Sequence, residues 1–175
     1  MAIKSPIGVA FLGLGRMGET HLRNLLGLPG VKVVVVADPR LEAAEHGKAL
    51  AGAEEATTDV ERAINSPSVD AVVIVTPTNT HARLLEVAAK AGKAAFTEKP
   101  IALDLAETAR VVNLIREARI PVQLGFMRRF DPGYARAKQK IDAGELGRIE
   151  LFRALSRDTL SAESRIFARE WGTIS

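Results

Sequence analysis

The chain has 175 residues, 47% of them hydrophobic and 26% charged, with 14 Gly and 8 Pro, which excludes a disordered, collagen-like or low-complexity chain. It has no Cys, so disulfides, thiolate nucleophiles and Cys-held metal centres are excluded too. The net charge is +3, divided as −2 over residues 1–109 and +5 over residues 110–175; the basic residues are dispersed and not interleaved with aromatics, so no nucleic-acid partner is expected.

No stretch approaches the ~18 apolar residues of a membrane span, and the first apolar segment is interrupted by Gly13 and Gly15, which makes it a poor signal peptide. The expectation is a cytoplasmic chain with no membrane partner. No metal site is expected.

Along the chain, Ile7–Leu12 is a short apolar run ending at Gly13, and it reads as a strand. Met17, Leu22, Leu25, Leu26 and Leu28 then recur at helical spacing over Arg16–Leu28. Lys32–Ala37 contains four successive valines, the pattern of a strand buried on both faces. Arg40–Ala51 is Ala-, Leu- and Glu-rich and predicts a helix. Asp59 predicts an N-cap for a short helix, Val60–Asn65. Ala71–Val75 reads as a strand, Thr80–Ala91 as a helix stopped by Gly92, and Ala94–Thr97 as a strand. Asp104 predicts the cap of a helix over Leu105–Ala118, and Val122–Phe126 a last strand. Strands alternating with helices, the strands uniformly apolar, imply βαβ units around a doubly wound parallel sheet. Beyond this α/β domain, Pro132–Ala143 predicts a helix stopped by Gly144 and Gly147, Ile149–Ser156 has strand character, and Thr159–Ser175 has a weak helical pattern.

Between the first strand and the first helix stands Gly13-Leu14-Gly15-Arg16-Met17-Gly18, a G-x-G-x-x-G turn. Gly13 permits the tight turn, Gly15 lets backbone approach a pyrophosphate, and Gly18 lets the helix pack close to the strand. The helix N-terminus offers free N–H groups and partial positive charge to the anion. Asp38 ends the second strand, 20 residues after Gly18, where a carboxylate can accept from an adenosine ribose. Such a carboxylate repels a 2′-phosphate, which favours NAD over NADP, while Arg40 is placed to hold that phosphate or to stack on adenine. FAD and S-adenosylmethionine sites also use Gly-rich turns and stay open at this level.

Two later strand ends carry polar groups into the same crevice. The first is Thr76-Pro77-Thr78-Asn79-Thr80-His81, whose hydroxyls and amide can cap the following helix or meet a ribose; His81 at the helix start reads as a cofactor contact or a solvent-facing residue. The second is Glu98-Lys99-Pro100, where Lys99 is a candidate acid/base once a nicotinamide cation lies near it.

Together these pieces resemble the glucose–fructose oxidoreductase/inositol dehydrogenase (Gfo/Idh/MocA) family. The stretch from Gly125 through Arg128 to Asp131 and Pro132, with Asp142–Gly147 and Ser156–Asp158, is similar to its inositol 2-dehydrogenase branch. The resemblance covers about residues 7–158. It implies an NAD(P)-binding Rossmann fold, NAD as cofactor, a small polyol or sugar as partner, and oxidation of a ring CH–OH to a ketone. By resemblance, Gly13 to Gly18, Asp38, Arg40, Thr76, Thr78, Asn79, His81 and Glu98 would serve the cofactor. Lys99 would be catalytic, and Lys99, Arg128 and Asp131 would face substrate. The family also carries a second α/β domain whose Asp and His work with the lysine, and the recognisable pattern ends before it. The expected organisation is therefore a dinucleotide-binding domain over 1–126, a connecting helix and first strand of a truncated second domain over 127–158, and an unassigned tail over 159–175. That implies a weakly active or inactive oxidoreductase, with a non-catalytic dinucleotide-binding module as the alternative. Self-association is expected through the exposed 149–156 strand.

Overall fold

The structure, a computed structural model, describes residues 6–155. It divides into two compact units, one ending at Phe130 and the other beginning at Asp131. The first contains a six-stranded, all-parallel sheet. Its strands are β1 (Ile7–Leu12), β2 (Val31–Ala37), β3 (Glu55–Thr57), β4 (Ala71–Ile74), β5 (Ala94–Thr97) and β6 (Val122–Leu124). They are joined in turn by α1 (Arg16–Leu26), α2 (Leu41–Ala51), α3 (Val60–Asn65), α4 (Thr78–Lys90) and α5 (Leu105–Ala118). The strand order is β3-β2-β1-β4-β5-β6. The chain thus winds outward from β1 one way and from β4 the other, giving the doubly wound Rossmann arrangement with its switch point between β1 and β4.

Period-two side chains send the strands' apolar residues into two cores. Val9, Phe11, Val33, Val36 and Val73 pack with Leu22 and Leu25 of α1 and with Ala43 and Leu50 of α2. Ala10, Leu12, Val72, Ile74 and Ala95 pack with Ala63 and Ile64 of α3, Leu84, Leu85 and Ala88 of α4, and Val111 of α5. The valine run of β2 does not alternate cleanly, because the β1–β2 register shifts between Val9, opposite Val33, and Ala10, opposite Val35. Val34 is the extra residue, so Val34 and Val35 both join the second core. Burying side chains such as Leu12, Leu22, Leu84 or Val111 stabilises the fold by about 1.5–3 kcal/mol each.

Asp59 caps α3 by accepting from Arg62 N at 2.9 Å, and Asp104 caps α5 by accepting from Glu107 N at 2.8 Å, as the sequence predicts. Other boundaries move. α1 stops at Leu26, its cap at Gly27 followed by Pro29. α4 starts at Thr78 rather than Thr80, with Pro77 as its N-cap, so Thr78, Asn79 and Thr80 form its first turn instead of capping it. β6 ends at Leu124. β3 was not expected: three residues at the sheet edge are too few for a period, and pairing with Val35–Ala37 is what makes them a strand.

In the second unit, α6 (Pro132–Asp142) is capped by Asp131, whose carboxylate accepts from Gly133 N at 2.9 Å and Tyr134 N at 3.2 Å. Gly144, with φ of 72°, follows its end. The strand expected over Ile149–Ser156 is absent from its described part: residues 149–155 have no regular structure, and Leu151 and Phe152 are 83% and 70% exposed. Apolar alternation alone does not hold a strand that no ladder pairs. Ser156 and the helical pattern of 159–175 lie outside the described residues. Among the described residues no helix is long and apolar enough to cross a membrane.

Candidate functional site

β1 and β4 stay paired to their C-terminal ends, Val75 N donating to the Leu12 carbonyl at 2.9 Å, and the G-x-G-x-x-G turn leaves β1 at this switch point. Gly13 has φ of 96°, a left-handed conformation, and a Cβ there would lie 2.6 Å from the Val75 carbonyl oxygen and 2.9 Å from Thr76 N. The turn is therefore pressed against the end of β4. Gly18, in the first turn of α1, would place a Cβ 2.0 Å from the Gly13 carbonyl oxygen, so helix and turn touch backbone to backbone. Gly15 is different. It is the N-cap of α1, in extended conformation (φ −76°, ψ −176°), and a Cβ there would meet nothing within 4 Å.

That open space lies over the start of α1, which has no side-chain cap. The N–H groups of its first turn are consequently offered outward. α4, starting beside it, also lacks a side-chain cap, in contrast to α3, α5 and α6. A phosphate-bearing cofactor fits this arrangement: bare backbone at Gly15, uncapped amides behind it and the macrodipole of α1 aimed at the anion. Arg16 and Met17 are exposed at its rim, whereas the Leu14 side chain turns into the core.

Asp38 occupies its expected position but is more engaged than the sequence implies. It is 4% exposed. Its Oδ2 accepts from Leu14 N at 2.8 Å, and its Oδ1 accepts from Arg40 N at 2.9 Å and Arg40 Nε at 3.3 Å. The carboxylate thus ties the end of β2 to the glycine turn. Arg40 lies largely in solvent, and its long Nε contact is the one a ribose hydroxyl could replace.

Across the crevice, Thr76 Oγ1 meets Thr80 Oγ1 at 2.6 Å, and Thr80 Oγ1 donates to the Pro77 carbonyl at 2.7 Å. Thr78 is half-buried and Asn79 exposed. His81 departs from expectation. It is 1% exposed, with Nδ1 at 2.8 Å from the Pro100 carbonyl and Nε2 at 2.9 Å from the Thr76 carbonyl. Both nitrogens are engaged by protein, so His81 has none left for a cofactor. The sequence sets it on a helix start but not which way the ring turns, and Ala82, Leu84 and Leu85 beside it carry the same face of α4 inward.

Glu98 is engaged too. Its Oε1 lies 2.8 Å from His21 Nε2, and its Oε2 accepts from Lys99 N at 3.2 Å. Lys99 is exposed, and its ammonium makes no hydrogen bond or ion pair among the described residues. Its peptide bond to Pro100 is cis. His21 was not singled out from sequence; its place six residues into α1, on the inward side with Gly18, Leu22 and Leu25, is the signal that could have found it. Arg128 lies in a single 3₁₀ turn, Met127–Arg129, near the end of the first unit. Asp131 belongs to the second unit as the α6 cap. No group of His, Asp and Glu residues suited to a metal occurs among the described residues.

Residues 7–126 match the family model described as an oxidoreductase family with an NAD-binding Rossmann fold. The scyllo-inositol 2-dehydrogenase (NAD(+)) of Bacillus subtilis is 44% identical over 157 residues, 89% of this chain and 46% of that protein. The inositol 2-dehydrogenase of Rhizobium meliloti is 40% identical over 84% of this chain and 44% of its own length. A crystal structure of scyllo-inositol dehydrogenase from Lactobacillus casei with bound NAD(H) and scyllo-inositol superposes with a TM-score of 0.77 at 35% identity, covering 81% of this chain and 42% of that one. The chain spans less than half the length of these relatives. It belongs to the Gfo/Idh/MocA oxidoreductase family and carries that family's NAD-binding Rossmann fold.

Proposed function

We propose that the chain is the cofactor-binding half of an NAD-dependent dehydrogenase of the inositol 2-dehydrogenase type, which oxidises a ring CH–OH of a polyol or sugar to a ketone. The observation that carries this reading is the meeting of three motifs at adjacent strand ends: the open Gly15 backbone after β1, Thr76 after β4, and Lys99 after β5.

The backbone from Gly13 to Gly18 would hold the pyrophosphate, with Arg16 and Met17 at its edge. Asp38 would take the adenosine ribose and, being anionic, would disfavour the 2′-phosphate of NADP. Thr76, Thr78 and Asn79 would line the side toward the second ribose. NAD, when bound, accepts the hydride lost by the alcohol carbon. Lys99, as the neutral amine that the positive charge of a bound nicotinamide ring would favour, would take the hydroxyl proton at Nζ and become the ammonium; its freedom from protein acceptors among the described residues leaves it available to a substrate oxygen. Arg128 is the remaining candidate for substrate contact in the first unit, and Asp131 for the second. The preference for NAD, the named residue roles and the domain limits at 126 and 158 are all part of this proposal.

Holding two reactants together contributes most of the rate in such chemistry. The Asp and His that the family's second domain implies act as a unit with the lysine, so turnover by these 175 residues alone is expected to be at least about 100-fold below that of a full-length relative. A spectrophotometric assay with myo- and scyllo-inositol and NAD tests this, beside Lys99→Ala. Slow NADH formation that Lys99→Ala abolishes supports the reading. Formation that survives Lys99→Ala would remove Lys99 from the chemistry.

A further inference from the structure

The turn that carries Lys99 is gripped from both faces of the sheet by histidines. From the α1 face, His21 Nε2 meets Glu98 Oε1 at 2.8 Å, and the other oxygen of the same carboxylate accepts the Lys99 backbone N–H at 3.2 Å. A short path therefore runs from α1 through one carboxylate to the main chain of the lysine. Both ends of that path are fixed. The His21 ring leans on Phe96, centroids 5.2 Å apart. Gly125 fits against the carboxylate so closely that a Cβ there would come within 3.0 Å of Glu98 Oε1. From the α4 face, His81 bridges the Pro100 and Thr76 carbonyls, which ties the residue after Lys99 to the end of β4.

α1 begins just after Gly15 and α4 just after Pro77. Each histidine thus sits on a helix whose N-terminus flanks the crevice, and each reaches the same tripeptide. We propose that His21 and His81 are positioning residues for Lys99: they set the main chain of residues 98–100 against the two cofactor loops, and His21 transmits occupancy of the glycine turn to the lysine. This rests on the reading that Lys99 and the glycine turn serve one reaction. Neither ring touches the reacting atoms. Phe in place of His21 would keep the stacking on Phe96 but lose the donor; Gln would keep a donor toward Glu98.

The test is amide exchange at Lys99, followed by NMR on the ¹⁵N-labelled full chain with and without NAD, in the parent, His21→Phe, His21→Gln, His81→Phe and His81→Asn. NAD affinity is measured by calorimetry in parallel. In the parent, NAD is expected to slow Lys99 exchange. In His21→Phe the exchange should quicken about tenfold or more, the effect of losing a hydrogen bond to a charged group, and should no longer respond to NAD, while NAD affinity changes less than threefold. His21→Gln should restore the parent rate to within about threefold. Parent-like exchange and parent-like NAD response in His21→Phe would overturn the proposal. Equal loss in His21→Phe and His21→Gln would also overturn it, since packing alone would then account for the effect. A parent chain that fails to bind NAD would instead refute the functional reading, and calorimetry separates that case. His81 is fully buried, so His81→Asn, which keeps a donor, is read beside His81→Phe: quickened Lys99 exchange in Phe that Asn restores supports its role, and parent-like exchange in both would remove His81 from the proposal.

Discussion

Gly15→Ala separates folding from cofactor binding at a single methyl group. The backbone of Gly15 is extended, with φ of −76° and ψ of −176°, a conformation open to alanine. The new Cβ would meet no atom of the protein within 4 Å. The folded state therefore takes on no strain and no clash. The unfolded chain loses freedom, which stabilises by about 0.4–1 kcal/mol at compatible sites, or roughly 1–4 °C for a chain of this size. The cofactor meets the opposite situation. The methyl would stand in the space over the uncapped first turn of α1, where the pyrophosphate must approach backbone. Displacing one charge-assisted N–H contact costs about 1.5–3 kcal/mol, so NAD affinity should fall between about 10- and 150-fold. Thermal unfolding by circular dichroism and calorimetric titration with NAD measure the two effects on one sample. A variant that keeps its midpoint and binds NAD within twofold of the parent would refute the placement of the pyrophosphate over Gly15.

Gly18→Ala should behave in the reverse way, because its Cβ would lie 2.0 Å from the Gly13 carbonyl oxygen and α1 must retreat by about 1 Å; a loss of about 1–3 kcal/mol is expected, and an unchanged urea midpoint would count against it. Asp38→Ala should weaken NAD by about 1–3 kcal/mol and also destabilise the chain, since Leu14 N loses its buried acceptor; Asp38→Asn keeps an oxygen for that N–H and should raise affinity for NADP relative to NAD, a ratio calorimetry reads directly. Hydrogen bonds and charge from Lys90 and Arg110 hold the Glu86 carboxyl below its ordinary 4.5. A carboxyl depressed in the folded state contributes stability above its unfolded value and loses it as pH falls through the folded one, so the difference in thermal midpoint between parent and Glu86→Gln should be present at pH 7 and shrink as pH falls below the ordinary 4.5.

The sheet was legible in the sequence because its strands are buried on both faces: Ile7–Leu12, the valine run and Ala71–Val75 are apolar without interruption, and helices of regular spacing lie between them. Caps were legible where an Asp precedes the helix, at Asp59 and Asp104. The glycine turn was legible because each glycine answers a backbone requirement, and the close approaches at Gly13 and Gly18 are those requirements in three dimensions. Side-chain direction was not legible. Nothing in the order Thr80-His81-Ala82 states that the imidazole turns inward to two carbonyls, since that depends on where Pro100 passes, 19 residues away. The His21–Glu98 pair escaped for the same reason, its members being 77 residues apart. Residues 149–155 misled because alternation reports which face a strand would bury, not whether a neighbouring strand exists to pair with it.

The measurement that tests the central claim most directly is calorimetric titration of the purified chain with NAD(H) and with NADP(H) under one buffer. Saturable binding of NAD(H), tighter than NADP(H) and weakened about 10- to 150-fold in Gly15→Ala, is the predicted result. Binding of neither dinucleotide, or tighter binding of NADP(H), would contradict the roles assigned to the glycine turn and to Asp38.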